Sequence, residues 1–401
     1  MTAIDQSHAG AVVRTYGTWP QQQVVTAGPG ALAGLADAID RAGAERVLLL
    51  TTPSLTREGA LIARVRETIG GRLVGEFDEC RPHNPRPAVL DAAARVREQS
   101  PDLLVSFGGS TVTDAGKAVS LVMAHGLREP GDLDGVDPDG DSEVRAALTP
   151  QVAIPTTLSG AEYSAAAGIT DLTTKTKRVF HQPGLAPVEV ILDPAMTVAT
   201  PAPLWCSTGV KSMSDAIEML SAPGAHPFVR VLAGAAVGAF FAGLSDSSSE
   251  DPARREQARL ACLRATWMSA TSLANTTSRL GLGTSVRHQL GPMGVGHGDA
   301  TCIMLPRILA FNWPVLGDER DAITSTFGLG DGGRTVTPEE VGERVRGFVA
   351  ALGLPDRLSA VGIAREDVPG LAHRIHADPM TALNPRAASV ADVERLLRAA
   401  F

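Results

Sequence analysis

Through the first half of the chain, short unbroken apolar runs alternate with longer segments in which apolar residues recur every three or four positions. The runs at Gln23-Val24-Val25, Val47-Leu48-Leu49-Leu50, Arg72 to Phe77, Leu103 to Phe107 and Val152-Ala153-Ile154 predict strands. Between them, Gly30 to about Ala42, Arg57 to Ile69, Pro87 to Glu98 and the stretch from Thr113 onward read as helices. Runs with no polar alternation suit parallel strands covered on both faces, so the pattern predicts βαβ units in a doubly wound sheet. Ile169 to Leu172, Lys177 to Phe180 and Val188 to Leu192 predict further short strands, ending at Asp193-Pro194. From Pro203 onward the period is helical, broken by a polar run from Ser245 to Asp251 and a glycine-rich one from Gly328 to Gly333. The expected architecture is an α/β domain with a parallel sheet over residues 1–195 and an all-α domain over 196–401, with no internal repeat.

At 401 residues the chain is long enough for two cores. Cys80, Cys206, Cys262 and Cys302 lie far apart with no C-x-x-C spacing, which predicts free thiols in a reducing compartment. The start, MTAIDQSHAG, has neither a basic nor an apolar leader region, so a cytoplasmic protein is expected. Val231 to Leu244 is the longest apolar run; it is short for a membrane span and rich in Gly and Ala, so it reads as a buried helix. A net charge of −8 offers no basic stripe for nucleic acid, although Lys175, Lys177 and Arg178 form a local cationic cluster. The expected partner is a small molecule, with neither nucleic acid nor membrane.

The run from Leu103 to Phe107 hands over to a helix through Gly108-Gly109-Ser110-Thr111. Glycine lets backbone N–H groups approach an anion, and a helix N-terminus favours negative charge, so this junction is a candidate site for a dinucleotide pyrophosphate. Neither G-x-G-x-x-G nor a Walker loop is present, and two glycines after a strand also make an ordinary βα turn.

Several spaced motifs together resemble the iron-containing alcohol dehydrogenases and their maleylacetate reductase branch. Gly108-Gly109-Ser110-Thr111 with Asp114 and Lys117 is similar to that family's GGGS-x-x-D-x-x-K loop, and Ile154 to Glu162 to its I-P-T-T-x-x-G-S-E segment. Leu192-Asp193-Pro194, Thr208-Gly209, Asp215-Ala216-Ile217-Glu218, His288-Gln289-Leu290-Gly291, His297-Gly298, Leu305-Pro306 and Asn384-Pro385-Arg386 follow in the family's order. The resemblance implies a dehydroquinate synthase-like fold, with a nucleotide-binding domain, a helical domain and a cleft between them. It also implies that Gly108, Gly109, Ser110 and Thr111, with Asp114, hold the cofactor phosphates, that Thr156 and Thr157 line its path, and that Lys177 lies near the nicotinamide ribose. Ser110 stands where the family usually has a third glycine. The run at Leu50 ends in Thr51-Thr52-Pro53 with no acid for a ribose hydroxyl, which leaves NAD and NADP both open. A homodimer is a further expectation from the resemblance.

The family's metal ligands, one Asp and three His, fall in this chain on Lys211, Asp215, Thr284 and His297. An ammonium repels a divalent cation and one His with one carboxylate is a poor ligand set, so no catalytic metal is expected. Lys211 and Asp215 are spaced i, i+4 and share a helix face. The leading expectation is a metal-independent NAD(P)H-dependent reductase of a small polar carbonyl or enone, in which Lys211 paired with Asp215 steadies the oxygen and His288 or His297 relays protons. Without the resemblance, Lys211 with Asp215 reads as a solvated surface pair. Arg287 reads as a surface charge or a carboxylate clamp, while His181, Trp205 and His226 read as packing or loop residues. Glu162 and Lys117 read as braces for the glycine loop, and Asp114 as a first-turn acid. The competing functions are a lyase or isomerase using Lys211 as base or imine-forming residue, and a binding protein without turnover.

Overall fold

The computed structural model describes residues 23–138, 148–174, 176–222, 225–275, 280–330 and 335–401. Lys175, the chain start and the end of the glycine-rich run at 331–333 lie outside the described residues. The strands are β1 (Val24–Ala27), β2 (Val47–Leu50), β3 (Leu73–Phe77), β4 (Leu103–Gly108), β5 (Gln151–Pro155), β6 (Ala166–Asp171), β7 (Thr176–His181) and β8 (Glu189–Leu192). Six of them form one wholly parallel sheet in the order β1-β8-β5-β4-β2-β3. The helices of this half are α1 (Gly34–Arg41), α2 (Pro53–Glu58), α3 (Ala60–Ile69), α4 (Arg86–Gln99) and α5 (Ser110–Ala124).

Strand β2 shows why the sheet is doubly wound. Its four residues are all buried, yet Val47 and Leu49 pack with α1 and α3, whereas Leu48 and Leu50 pack with α4 and α5. A period of two with both faces apolar leaves no solvent side, so helices must cover each face. The strand order reverses between β2 and β4, and in such sheets ligands bind beyond the carboxyl ends at that reversal. Gly108, which ends β4, lies there.

Three details differ from the pattern read off the chain. Gly59, at φ +82°, splits the expected helix at Arg57 to Ile69 into α2 and α3. Strands β6 and β7 leave the parallel sheet and pair as a separate antiparallel hairpin, while β8 inserts between β1 and β5. The apolar run at Val231 to Leu244 becomes part of a 20-residue helix, Pro227–Asp246, which by length and composition alone could cross a membrane. Its Val229, Ala233, Val237, Phe240 and Leu244 instead fill the core.

That helix is α7, following α6 (Ala202–Leu220). Then come α8 (Pro252–Ala274), α9 (Leu282–Leu290), α10 (His297–Asn312), α11 (Glu319–Phe327), α12 (Pro338–Ala351), α13 (Val368–Ala377) and α14 (Val390–Arg398). Helix α6 is the axis of this half, with Val210, Met213, Ala216, Ile217 and Leu220 buried in the same cluster as residues of α7, α8 and α10. The two halves meet along the first half of α6, where Thr208 Oγ1 accepts from Leu158 N at 3.2 Å and the Ser212 hydroxyl donates to the Leu158 carbonyl. The four cysteines are buried and free.

Candidate active site between the glycine loop and helix α6

The glycine junction is tight for steric reasons. A Cβ on Gly108 would stand 2.5 Å from Val112 Cγ2, and one on Gly109 would stand 2.9 Å from Thr157 Cγ2. Thr157 is therefore brought against the loop, and Thr156 joins it through its N–H, which donates to the Gly108 carbonyl at 3.0 Å. Helix α5 starts at Ser110, so the first-turn N–H groups of Ser110 and Thr111 have no intrahelical acceptor. The Ser110 hydroxyl has no hydrogen-bond partner among the described residues. The junction has the open donors and close backbone approach that a pyrophosphate requires.

Lys117 is fully buried, and its three N–H donors are consumed by Asp114 Oδ1 at 3.0 Å, the Ala161 carbonyl at 2.6 Å and the Ala166 carbonyl at 3.0 Å. It ties α5 to the connection between β5 and β6, leaving no donor for a ligand. Glu162 is also buried, and its Oε1 has no hydrogen-bond partner. Burial pushes its carboxyl up to about 7 against the opposing pull of Lys117 and Lys211. Lys177, on β7, is exposed and lies over Gly168, where a Cβ would stand 2.0 Å from Lys177 Cε.

Lys211 and Asp215 lie on one face of α6 as their spacing predicts, but the solvated surface pair is not what forms. Asp215 is 5% exposed, and its Oδ2 stands 2.7 Å from Lys211 Nζ. Lys211 also donates to the Ser159 carbonyl at 3.3 Å, across from the α/β half. The other oxygen of Asp215 is taken by Arg287, whose Nη2 lies 2.7 Å from Oδ1. Arg287 is 2% exposed, which rules out a surface charge. The same Nη2 donates to Thr284 Oγ1 at 2.6 Å, and Nη1 reaches Thr301 Oγ1 at 3.4 Å. Burial opposes ionisation of Asp215, but Arg287 and Lys211 outweigh it and hold the carboxyl below its ordinary value.

One turn further along α6, Glu218 accepts from the Gly281 N–H at 2.6 Å, and burial raises its carboxyl to about 7. It lines a pocket between α6, α9 and α10 together with Ser214, Gly283, Thr301, Met304 and Ile308. His297 opens α10 and is exposed. Loss of surrounding water, then Arg287, Lys177 and Lys211, push its pKa down to about 3, so the imidazole is neutral at pH 7. His288 lies on α9, 46% exposed, with Nδ1 2.9 Å from Asp378 Oδ2, a contact that fixes the ring.

Lys211 and Arg287 thus converge on the carboxylate of Asp215, Thr284 reaches it only through Arg287, and His297 joins them electrostatically. Glu218 and Thr301 were not among the expected site residues, and Arg287 was left between a surface charge and a carboxylate clamp; Arg287 follows Thr284 by three positions on α9, and Glu218 follows Asp215 by three on α6, the spacing of helix neighbours. As a donor set for a divalent metal the cluster does not fit. Both oxygens of Asp215 are held by cations and the Thr284 hydroxyl accepts from one of them. Among the described residues, no three His, Cys, Asp or Glu side chains group as metal ligands.

Residues 22–194 match the family model for iron-containing alcohol dehydrogenase, and residues 205–401 match the C-terminal model of the Fe-containing alcohol dehydrogenase family. The dehydrogenase ALT3 of Alternaria alternata is 30% identical over 378 residues, 86% of this chain and 95% of its own length. The NAD-dependent methanol dehydrogenase of Bacillus methanolicus is 29% identical over 93% of this chain and 97% of its own. Maleylacetate reductase of Rhizobium sp. strain MTP-10005 is 27% identical over 93% of this chain and 94% of its own. The crystal structure of maleylacetate reductase from that strain matches with a TM-score of 0.79 at 25% identity, over 97% of this chain and 99% of that one.

Proposed function

The chain belongs to the iron-containing alcohol dehydrogenase family and is an oxidoreductase, and from that premise we propose that it reduces a small polar carbonyl or enone compound with NAD(P)H and without a catalytic metal. The observation that carries this reading is the state of Asp215: both oxygens of the carboxylate are engaged, one by an ammonium and one by a guanidinium.

Gly108, Gly109, Ser110 and Thr111 would hold the cofactor's pyrophosphate, with Thr156 and Thr157 beside it. Lys177 would approach the nicotinamide end. Asp114 acts at one remove, through its bond to the buried Lys117. When bound, the nicotinamide dinucleotide supplies the hydride. Lys211 presents positive charge where the substrate oxygen becomes negative, and a preorganised ammonium there lowers the barrier without reorganising at the moment of reaction. Asp215 holds that ammonium in place, and Arg287 holds Asp215. The proton that completes the alcohol comes from Lys211 or passes over the neutral imidazole of His297, with His288 beyond it at the exposed rim. The lyase or isomerase alternative needs Lys211 as a free amine, whereas its nitrogen is engaged by Asp215 and Ser159.

Titration with NADH and NADPH, read by nicotinamide fluorescence, tests the cofactor, and turnover before and after dialysis against a chelator tests the metal. Saturable binding of one reduced nicotinamide, with turnover unchanged by chelation, is the expected result. Retention of one zinc or iron per chain, with activity lost on its removal, would refute the metal-free reading.

A further inference from the structure

Helix α9 carries Thr284 and Arg287 into the cluster, yet its own sequence does not cap it. The N-cap residue is Gly281, which has no side chain to accept from the first-turn N–H groups. Two residues from distant parts of the chain accept there instead. Glu218 Oε2, on α6, accepts from the Gly281 N–H at 2.6 Å, and Asn384 Oδ1 accepts from the Leu282 N–H at 3.4 Å. The Thr284 N–H already bonds inside the turn, to the Gly281 carbonyl at 3.0 Å.

Both contacts depend on glycine. A Cβ at position 283 would stand 2.2 Å from Glu218 Oε1, and one at position 281 would stand 3.1 Å from Cα and from Oδ1 of Asn384. Each cap therefore reaches the helix only past a residue without a side chain. The caps are themselves anchored. Glu218 follows Asp215 by one turn of α6, so one helix holds both the carboxylate of the cluster and the carboxylate that grips α9. Asn384 and Asn312 on α10 exchange side-chain hydrogen bonds at 3.1 and 2.7 Å, and Asn384 also donates to the Arg386 carbonyl at 2.7 Å. Arg386 in turn lies 4.2 Å from the centroid of the Phe311 ring. The Asn384-Pro385-Arg386 motif thus braces the start of α9 while standing apart from the cluster.

Arg287 lies six residues beyond Gly281, about 9 Å along the helix axis. A helix of nine residues does not hold its place alone, and external contacts at its first turn fix where its later side chains fall. We propose that Glu218 and Asn384 are positioning residues: by capping α9 from outside, they set Arg287 on Asp215 and, through that shared carboxylate, keep the Lys211 ammonium in register. This role is independent of the reaction that the cluster performs.

The test is a double-mutant cycle on the full chain. Arg287→Met, Asp215→Asn and the pair are made in wild type and in Glu218→Ala, Glu218→Gln, Gly283→Ala and Asn384→Ala, with unfolding constants taken from denaturant titrations. Coupling between Arg287 and Asp215 is expected to be about fivefold or more in wild type and about twofold or less with Glu218→Ala. Glu218→Gln, whose amide oxygen accepts at the same reach, should restore most of it. Gly283→Ala separates the external cap from helix content, since alanine favours a helix over glycine roughly fivefold. Its methyl group takes the space of the Glu218 carboxylate, so coupling should fall as it does in Glu218→Ala. Asn384→Ala should lower the coupling by about half. A loss of overall stability in Glu218→Ala with the coupling intact would mean a merely structural role and would overturn the proposal, as would full coupling in Gly283→Ala. If Glu218→Ala does not fold, Gly283→Ala decides, because it leaves every side chain of the cluster in place. Full coupling in Asn384→Ala would overturn the part assigned to Asn384.

Discussion

Arg287→Met is the substitution that most directly probes how the site is held. The guanidinium is 3% exposed in its side chain and lies 2.7 Å from an oxygen of Asp215 that is itself buried, so its removal leaves half of a buried carboxylate without a partner. Breaking a buried ion pair outright costs about 3–5 kcal/mol. Here Lys211 still holds the second oxygen at 2.7 Å, which limits the loss to about 2 kcal/mol, or roughly 2–3 °C in Tm for a chain of this size. The pH dependence fixes the sign. Asp215 has a lowered pKa in the folded state, so its contribution is present above the ordinary aspartate pKa and is lost as pH falls through the folded value. The gap between wild type and Arg287→Met should therefore be widest near neutrality and should close below about pH 4. Denaturant unfolding and thermal melts of the two proteins from about pH 2.5 to 8 measure it. Asp215→Asn alone and in combination complete a double-mutant cycle, expected to show coupling above about 1 kcal/mol. A cost under about 0.5 kcal/mol at pH 7, or additivity of the two substitutions, would refute the claim that Arg287 acts by holding Asp215.

Two further perturbations read other parts of the site. Glu162 is shifted upward to about 7, so between the ordinary glutamate pKa and about pH 7 the folded state holds a proton that the unfolded state has lost, and stability falls as pH rises through that window. Glu162→Gln should flatten the fall of Tm between about pH 5 and 7.5, and an unchanged slope would show that another group carries it. Lys117→Met should cost about 3 kcal/mol or more by stranding Asp114 and two carbonyls, seen as a large drop in Tm or as loss of soluble protein. Wild-type stability in that variant would show that the buried ammonium is dispensable.

The fold was legible where one strand decides its own surroundings. Val47 to Leu50 and Leu103 to Phe107 are apolar at every or nearly every position, which only a strand covered on both faces satisfies, and both take that place. The hairpin was not legible in the same way. In β7 only Phe180 is buried, whereas β8 is buried throughout, and β8 pairs with β5 across the whole hairpin and with β1 from the far end of the domain, Val24 opposite Glu189. A short apolar segment states its own burial but not its neighbours. Gly59 likewise marked a break that the apolar period on either side concealed.

The same distinction governs the site. Lys211 and Asp215 were legible as a pair because four residues on a helix bring side chains together whatever the tertiary context. Their burial was not, since a charged pair looks the same in sequence whether water or protein surrounds it. What places Asp215 in the interior is Arg287, 72 positions along the chain, and what makes burying Arg287 tolerable is Asp215. Neither residue states this alone, because each pays for its desolvation only through the other. The inference from sequence therefore reached the ammonium that stands on a family ligand position, and left the guanidinium open between a surface charge and a carboxylate clamp, without its partner Asp215. With that second cation in view, the cluster is more than a lysine exchanged for a metal ligand. It is a positive charge held in place by a carboxylate that a second, more deeply buried cation shares.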